Sequence, residues 1–431
     1  MRSAIGSIIE PLAGGAIWPW QRAGRRSPAT KAGNSRSHPD LPADAALPAY
    51  SVALFALACG LSVANVYLAH PLLDAMARDL AIKPASVGVV VTVTQAGYAL
   101  GLIFIVPLGD LTDRRRLIVG QMLLSTAALT TVGLAPTAAV FLLGMALVGV
   151  LAVVVQVIVA FAAALAAPAQ RGRVVGTVTS GVVIGILSAR FASGALADMG
   201  GWRSVYLTSA MLTFIMAALL FRTLPRGTQA LKTSYLDLLR SLLALFRDLP
   251  ILRIRTVLAL LIFATFNVLW APLVLPLSAP PFSLSHTAIG LFGFAGVAGA
   301  LGARQAGRLA DRGLGERVTG VSLGLMLIAW LPIALMGMSL WALLLGVLVL
   351  DFAIQAVHVT GQSILLAARP DAGSRLVGGY MSFYSIGSAG GGIASTAVYA
   401  YAGWLGACAL GAAISATALL FFFATSRPTK A

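Results

Sequence analysis

The sequence predicts an all-α membrane protein, with twelve transmembrane helices in two pseudo-symmetric six-helix bundles. Three observations predict it. Of 431 residues, 59% are hydrophobic and only 10% are charged, far less charge than a soluble surface of this length requires. The apolar residues fall in blocks of about 20, long enough to cross a hydrocarbon core about 30 Å thick. A β-barrel would show short alternating segments instead. Finally, the second half of the chain echoes the first.

Twelve spans are expected at 51–73, 86–108, 117–135, 138–165, 173–197, 203–223, 255–278, 287–308, 317–338, 340–368, 374–398 and 402–425. Residues 1–48 are rich in Arg, Pro, Ala, Gly and Ser and read as a disordered basic tail. No signal peptide is expected there, because Glu10 and Pro11 interrupt the apolar segment AIGSIIEPLAGGAIW. The first bundle takes residues 49–224, a cytoplasmic linker 225–254, the second bundle 255–426 and a cytoplasmic tail 427–431.

A net charge of +16 could suggest a nucleic-acid partner, but the basic residues lie mainly in alternate loops. The tail, the loops after spans 2, 4, 8 and 10, the linker and the C-terminus hold 25 of the chain's 30 Lys and Arg residues. The opposite side has only Arg78, Lys83 and Arg203, while Arg190 and Arg304 fall within spans. This asymmetry predicts cytoplasmic termini in an inner (plasma) membrane and no nucleic-acid partner. Within the linker, SYLDLLRSLLALFRDL places Asp237, Arg240, Ser241, Ala244, Arg247 and Asp248 on one helical face. Leu, Tyr and Phe take the other, so this helix is expected on the membrane surface, as a tether or a regulatory element.

Cys59 and Cys408 each lie inside an apolar block. They form neither a disulfide framework nor a metal spacing and read as small packing residues. No metal site or cofactor is expected. The chain also lacks a Walker loop or a nucleophile motif in its structural context, so neither an enzyme nor an ATP-driven pump is expected.

The repeat is specific. GLIFIVPLGDLTDRR at 101–115 aligns with GALGARQAGRLADRG at 299–313. Gly101, Gly109, Leu111, Asp113 and Arg114 recur 198 positions later as Gly299, Gly307, Leu309, Asp311 and Arg312. Gln156 is echoed by Gln355, and Asn65 by Asn267, at offsets of 199 and 202. Several matches near one offset indicate two related six-helix halves.

Four spans carry polar residues well inside the hydrocarbon. Span 1 has Asn65 and Tyr67, span 4 has Gln156, and span 7 has Asn267 and Trp270. Span 10 has Asp351, Gln355, His358 and Gln362, spaced 4, 3 and 4 apart. At about 100° per residue these four share one stripe. Facing lipid they would be costly, so they should face protein or a water-filled cavity. They either line a path or act as hydrogen-bonding glue between helices.

Among the acids, Asp351 alone lies mid-span, where a charged Asp costs about 2.5–3.5 kcal/mol on insertion scales. A carboxyl that gains and loses a proton there is what coupling to a proton gradient needs. The competing reading is a structural carboxyl held by a neighbouring helix. His358 could relay protons or serve structurally, and His70 is expected at the interface. Arg190, in span 5, either snorkels or pairs with a carboxyl or an anionic substrate.

The duplicated G-x-L-x-D-R after spans 2 and 8 resembles the major facilitator superfamily. The stretches ANVYLAHPLLDAMARDL, TQAGYALGLIFIVPLGD, QRGRVVGTVTSG, GGWRSVY, VLDFAIQAVHV and SRLVGGYMSFY are similar to a bacterial drug- and sugar-efflux branch, from about residue 50 to the end. The resemblance implies rocker-switch transport. Spans 1, 4, 7 and 10 would line the cavity and spans 2, 5, 8 and 11 the bundle interface. The glycine richness of spans 5 and 11 fits an interface that slides, or static close packing.

The resemblance also implies a cytoplasmic gate at Gly109, Asp113, Arg114 and Arg116, and at Gly307, Asp311 and Arg312. In it the aspartates cap the following helices and the arginines bridge to the opposite bundle. Positive charge anchoring the topology is the alternative. The expected activity is secondary active transport, namely proton-coupled efflux of a small organic molecule by a monomer whose partners are substrate, protons and membrane lipid. Uptake by symport, uniport, or a transporter-like receptor without turnover are the alternatives.

Overall fold

The computed structural model describes residues 48–167, 170–225, 234–369 and 372–426. The expected tail at 1–48, apart from Pro48, lies outside the described residues, as do part of the linker, the tail at 427–431 and the side chain of Asp311. The described residues are helical throughout, joined by short turns, with no strand among them.

Nine described segments are long and apolar enough to cross a membrane. They are α1 (Ala49–Asp79), α2 (Pro84–Phe104), α3 (Arg114–Gly133), α4 (Ala138–Leu165), α5 (Arg171–Thr223), α7 (Pro250–Ser278), α9 (Arg312–Gly337), α10 (Leu340–Ala368) and α11 (Arg375–Thr425). Between them stand α6 (Tyr235–Asp248) and the broken α8, which runs His286–Ala295 and continues as Gly296–Leu309. At 53 and 51 residues, α5 and α11 are far too long for one crossing. Each breaks at one glycine in the left-handed region, Gly201 (φ 74°) and Gly403 (φ 62°), where a side chain would be strained. Each therefore supplies two crossings. The broken α8 lies between α7 and α9.

Local chemistry sets the helix starts. Asp113 caps α3 by accepting from the Arg116 N–H at 3.1 Å. Ser285 accepts from the Ala288 N–H at 3.2 Å to start α8. Ser339 accepts from the Trp341 N–H at 3.2 Å to start α10. Such caps satisfy amides that have no partner within the helix. Pro250 opens α7 at the first helical position, where its missing N–H costs nothing.

Small residues set the packing inside each half. Gly181 of α5 meets the Ala56 backbone of α1 so closely that a Cβ would stand 2.1 Å from the carbonyl oxygen. Gly387 of α11 meets the Leu260 carbonyl of α7 in the same way, at 2.0 Å. Cys59 and Cys408 are buried and free.

Different helices join the halves. On α2, the Gly88 N–H donates to Thr396 Oγ1 of α11 at 3.1 Å, and the Thr92 hydroxyl donates to the Ala389 carbonyl at 2.8 Å. Between α5 and α8, a Cβ on Gly290 would come within 2.4 Å of the Arg190 carbonyl oxygen. These contacts lie toward the end of the molecule that carries Asp74 and His286. At the opposite end lies α6, whose Leu245 is buried beside Leu252, Leu376 and Tyr380. The Tyr235 hydroxyl of α6 donates to the Phe104 carbonyl at 2.9 Å. Leu236 and Leu243 of the same helix remain exposed, as a helix resting on a membrane surface requires.

Candidate substrate cavity

A cavity of about 330 Å³ lies between the halves. Three larger grooves exist: those of 680 and 1120 Å³ are each lined from one half alone, and one of 490 Å³ lies between residues 74–84 and 275–280 at one end of the molecule. The central cavity draws its wall from α1, α2, α4 and α5 on one side and α7, α8, α10 and α11 on the other.

The polar stripe of α10 forms one wall, with Asp351, Gln355, His358 and Gln362 all lining the cavity. Tyr67, Gln156 and Arg190 line it from the first half. Asp351 is buried, and the Trp270 indole Nε1–H donates to its Oδ1 at 3.4 Å. The Trp270 ring also carries the Arg190 guanidinium, whose Cζ stands 3.7 Å from the ring centroid. Phe266 and Tyr67 face the same guanidinium at 5.3 and 5.5 Å. Arg190 is only 2% exposed, so it does not snorkel to an interface. Its Nε and Nη2 have no hydrogen-bond partner among the described residues.

His358 is held locally. Its Nδ1 lies 3.1 Å from the Tyr380 hydroxyl, its Nε2 lies 3.5 Å from Gln362, and its ring meets Phe263 edge-on at 5.1 Å. Seven residues separate it from Asp351, about 10.5 Å along the helix, too far for direct proton transfer.

Three expected residues do not line the cavity. Asn65 turns away and accepts from the Ser209 hydroxyl of α5 at 2.5 Å. Asn267 is 3.3 Å from His70 Nε2 and donates to the Phe263 carbonyl. Trp270 stands behind Arg190 and Asp351. His70, expected at the interface, is buried. In each case a buried polar group finds a protein partner, which offsets the cost of leaving water.

The sequence reading missed Gln95 and Tyr98 of α2 and Tyr384 of α11, all of which line the cavity. The Gln156 amide donates to the Tyr98 hydroxyl at 3.4 Å. The Tyr67 and Tyr384 hydroxyls meet at 2.5 Å, joining the halves across the cavity. The available signal was the i, i+3 pair Gln95 and Tyr98 in an apolar span, which puts two polar groups on one helix face.

A further cluster at the Asp74 end was not anticipated. His286 of α8 places Nε2 3.0 Å from Asp74 Oδ1 and Nδ1 3.2 Å from Asp198 Oδ1. Asp198 also accepts from the backbone N–H groups of His286 and Thr287, at 3.2 and 2.9 Å. Arg78 Nη2 stands 3.0 Å from Asp74 Oδ2 as an ion pair without hydrogen-bond alignment. The hydrogen bond that His286 donates to Asp74, and then the negative charge of both carboxylates, holds the His286 pKa above its ordinary value despite burial.

At the other end, Arg114 Nε donates to the Gly109 carbonyl at 2.9 Å, within its own half. Arg116 and Arg312 are exposed; the gate that the resemblance implies would bring them against the opposite half when the protein opens outward. A Cβ on Gly109 or Gly307 would make ordinary contact with Val157 or Val359.

Comparison with known proteins agrees with this architecture. A transporter of Escherichia coli O157:H7, "Uncharacterized transporter YgaY", is 44% identical over 372 residues, covering 86% of this chain and 94% of the relative. "Probable transporter SCO4007" of Streptomyces coelicolor is 31% identical over 364 residues, or 84% of each chain. Among solved structures, an inward-facing, unoccupied bacterial homologue of the human lysosomal transporter Spinster superposes with a TM-score of 0.71. It is 16% identical, over 87% of this chain and 96% of that one. Residues 55–317 match the family description directly, and the chain belongs to the Major Facilitator Superfamily.

Proposed function

We propose that this transporter exports a small organic molecule in exchange for protons, by alternating access, as a monomer in the bacterial inner membrane. One observation carries the reading. A cavity walled by both halves holds, among the described residues, a single buried carboxyl, Asp351, while contacts between the halves gather at one end. A path closed at one end and sited between two bundles is what rocking of the bundles needs.

In this reading Asp351 is the proton-coupling residue, and Trp270 positions it. Arg190, Tyr67, Gln156 and Gln355 meet substrate. His358 acts with Tyr380 and Gln362 below the coupling site. With the basic loops on the cytoplasmic side, as the charge asymmetry expects, the Asp74 end lies outside the cell and this arrangement faces inward. The loops at Gly109–Arg116 and Gly307–Arg312 close the cytoplasmic side in the opposite state. Uptake by symport uses the same parts in reverse.

The test uses inverted membrane vesicles with an imposed pH gradient and a pH-sensitive dye, for wild type and Asp351→Asn. Compounds that dissipate the gradient with wild type alone support antiport coupled at Asp351. Equal responses from both proteins make Asp351 structural. No response from a folded protein that binds the compound favours uniport or a receptor.

A further inference from the structure

We infer that the cavity selects organic anions, and that the carboxylate of a small molecule with an aromatic or branched apolar body seats on Arg190. The inference rests on the reading of this cavity as the transport path. Among the described residues Arg190 is its only Lys or Arg lining residue, and it is nine-tenths buried or more. Among the described residues no carboxylate forms an ion pair with it. Its contacts instead are aromatic faces, which hold a guanidinium but leave its in-plane donors free. Two of those donors, Nε and Nη2, are buried and unpaired. Together they present one edge of the fork that receives a carboxylate through two parallel hydrogen bonds.

Asp351 is the obvious internal partner, yet Trp270 engages both groups in a different way. The indole ring covers one face of the guanidinium, and the indole N–H is aimed at the Asp351 carboxyl. The edge of the guanidinium is therefore not taken by Asp351, and Arg190 itself lines the cavity. The remaining wall fits the body of such a molecule. Phe263, Phe266 and Tyr98 supply aromatic faces, and Gln95 and Gln156 supply amide donors and acceptors. The volume of about 330 Å³ is at the low end of ligand sites, which span about 300–1,000 Å³, and suits a metabolite-sized molecule.

The test begins with the ligand, so that it does not depend on a buried variant folding. Purified wild-type protein is screened by thermal shift against aryl and branched-alkyl carboxylates. Each is paired with its primary amide and with a quaternary ammonium of the same skeleton. Carboxylates should stabilise the protein and their amides should bind about ten- to hundredfold more weakly, the usual loss for a charged hydrogen-bonded pair. Arg190→Gln should erase the preference, and Arg190→Lys, which keeps the charge but not the fork, should recover part of it. Stabilisation by the amides or ammoniums equal to that by the carboxylates overturns the inference, as does a screen in which no carboxylate binds.

Vesicle transport separates this outcome from the broader reading. Neutral or cationic compounds that dissipate the gradient leave the exporter standing and remove the anion selectivity. Carboxylates that bind without crossing keep the anion site and remove the exporter.

Discussion

Trp270 stands between Arg190 and Asp351, its ring 3.7 Å from the guanidinium carbon and its Nε1 3.4 Å from the carboxyl oxygen. One side chain thus orients both polar groups of the cavity, through two different chemistries. Trp270→Phe keeps an aromatic platform for Arg190 and removes the donor to Asp351. A hydrogen bond to a charged group contributes about 1.5–3 kcal/mol, so gradient dissipation should fall about tenfold or more while ligand-induced thermal stabilisation persists. Trp270→Ala removes the platform as well, costs about 3–5 kcal/mol as a large core truncation, and should sharply lower the yield of folded protein. If Trp270→Phe transports like wild type, the indole N–H has no part in coupling.

His286 ties the second half to two carboxylates of the first, and both of its ring nitrogens face them. A neutral imidazole can donate from only one nitrogen, whereas the imidazolium donates from both. The charged groups around it are Asp74 and Arg78 from α1 and Asp198 from α5. Because the two carboxylates raise the His286 pKa, the clasp is at full strength below the ordinary histidine value. It weakens as pH rises through the raised one. The Asp74 end should therefore open more often at alkaline pH, and His286→Gln should abolish that dependence. Spin labels at Lys83→Cys and Tyr401→Cys, with Cys59 and Cys408 replaced, would report the separation as a function of pH. A distance distribution unchanged by pH in wild type would remove the clasp.

Glycine contacts of similar closeness should respond differently according to what they join. Gly387→Ala would force a Cβ against the Leu260 carbonyl inside one half. Overpacking of this kind costs about 1–3 kcal/mol and should appear as a lower melting temperature. Gly290→Ala would force a Cβ against the Arg190 carbonyl between the halves. There the halves can part, so the strain should be relieved by opening of the Asp74 end. The same spin-label pair should show longer distances for Gly290→Ala and little change for Gly387→Ala. Identical behaviour of the two variants would mean that the α5–α8 seam does not move.

The sequence made the membrane class and the duplication legible because both are written in local pattern. Blocks of apolar residues, positive loops and a motif repeated at one offset need no knowledge of distant contacts. The stripe on α10 was legible for the same reason, since helical period alone places Asp351, Gln355 and His358 on one face. Asn65 and Asn267 show the limit of that argument. Their matching positions marked both as polar groups that must avoid lipid, but periodicity does not name the partner, and each is engaged by a neighbouring helix instead. The His286 cluster was invisible because its two carboxylates are 212 and 88 residues away in sequence. Read separately, all three are ordinary residues at helix ends.

If an anion occupies Arg190, it shares the cavity with Asp351, and the two negative charges repel one another. A protonated Asp351 removes the repulsion, so the anion and a proton should bind together, and for an anionic substrate this linkage favours the symport reading over exchange. The groups that share this space are Arg190 from α5, Tyr67 from α1, Tyr98 from α2, Tyr384 from α11 and His358 two turns along α10, with Trp270 as the donor to the carboxyl. Carboxylate affinity should therefore rise as pH falls, by at most about tenfold per pH unit for one linked proton. Calorimetric titration of wild type with a binding carboxylate across the acid-to-neutral range would show that slope. Asp351→Asn keeps a neutral group of the same shape and should bind the carboxylate with a flat pH profile, at an affinity near the acid limit of wild type. A wild-type profile as flat as that of the variant would break the link between substrate and proton at this residue. A variant that keeps the full slope would assign the proton to another group in the cavity, with His358 the next to test.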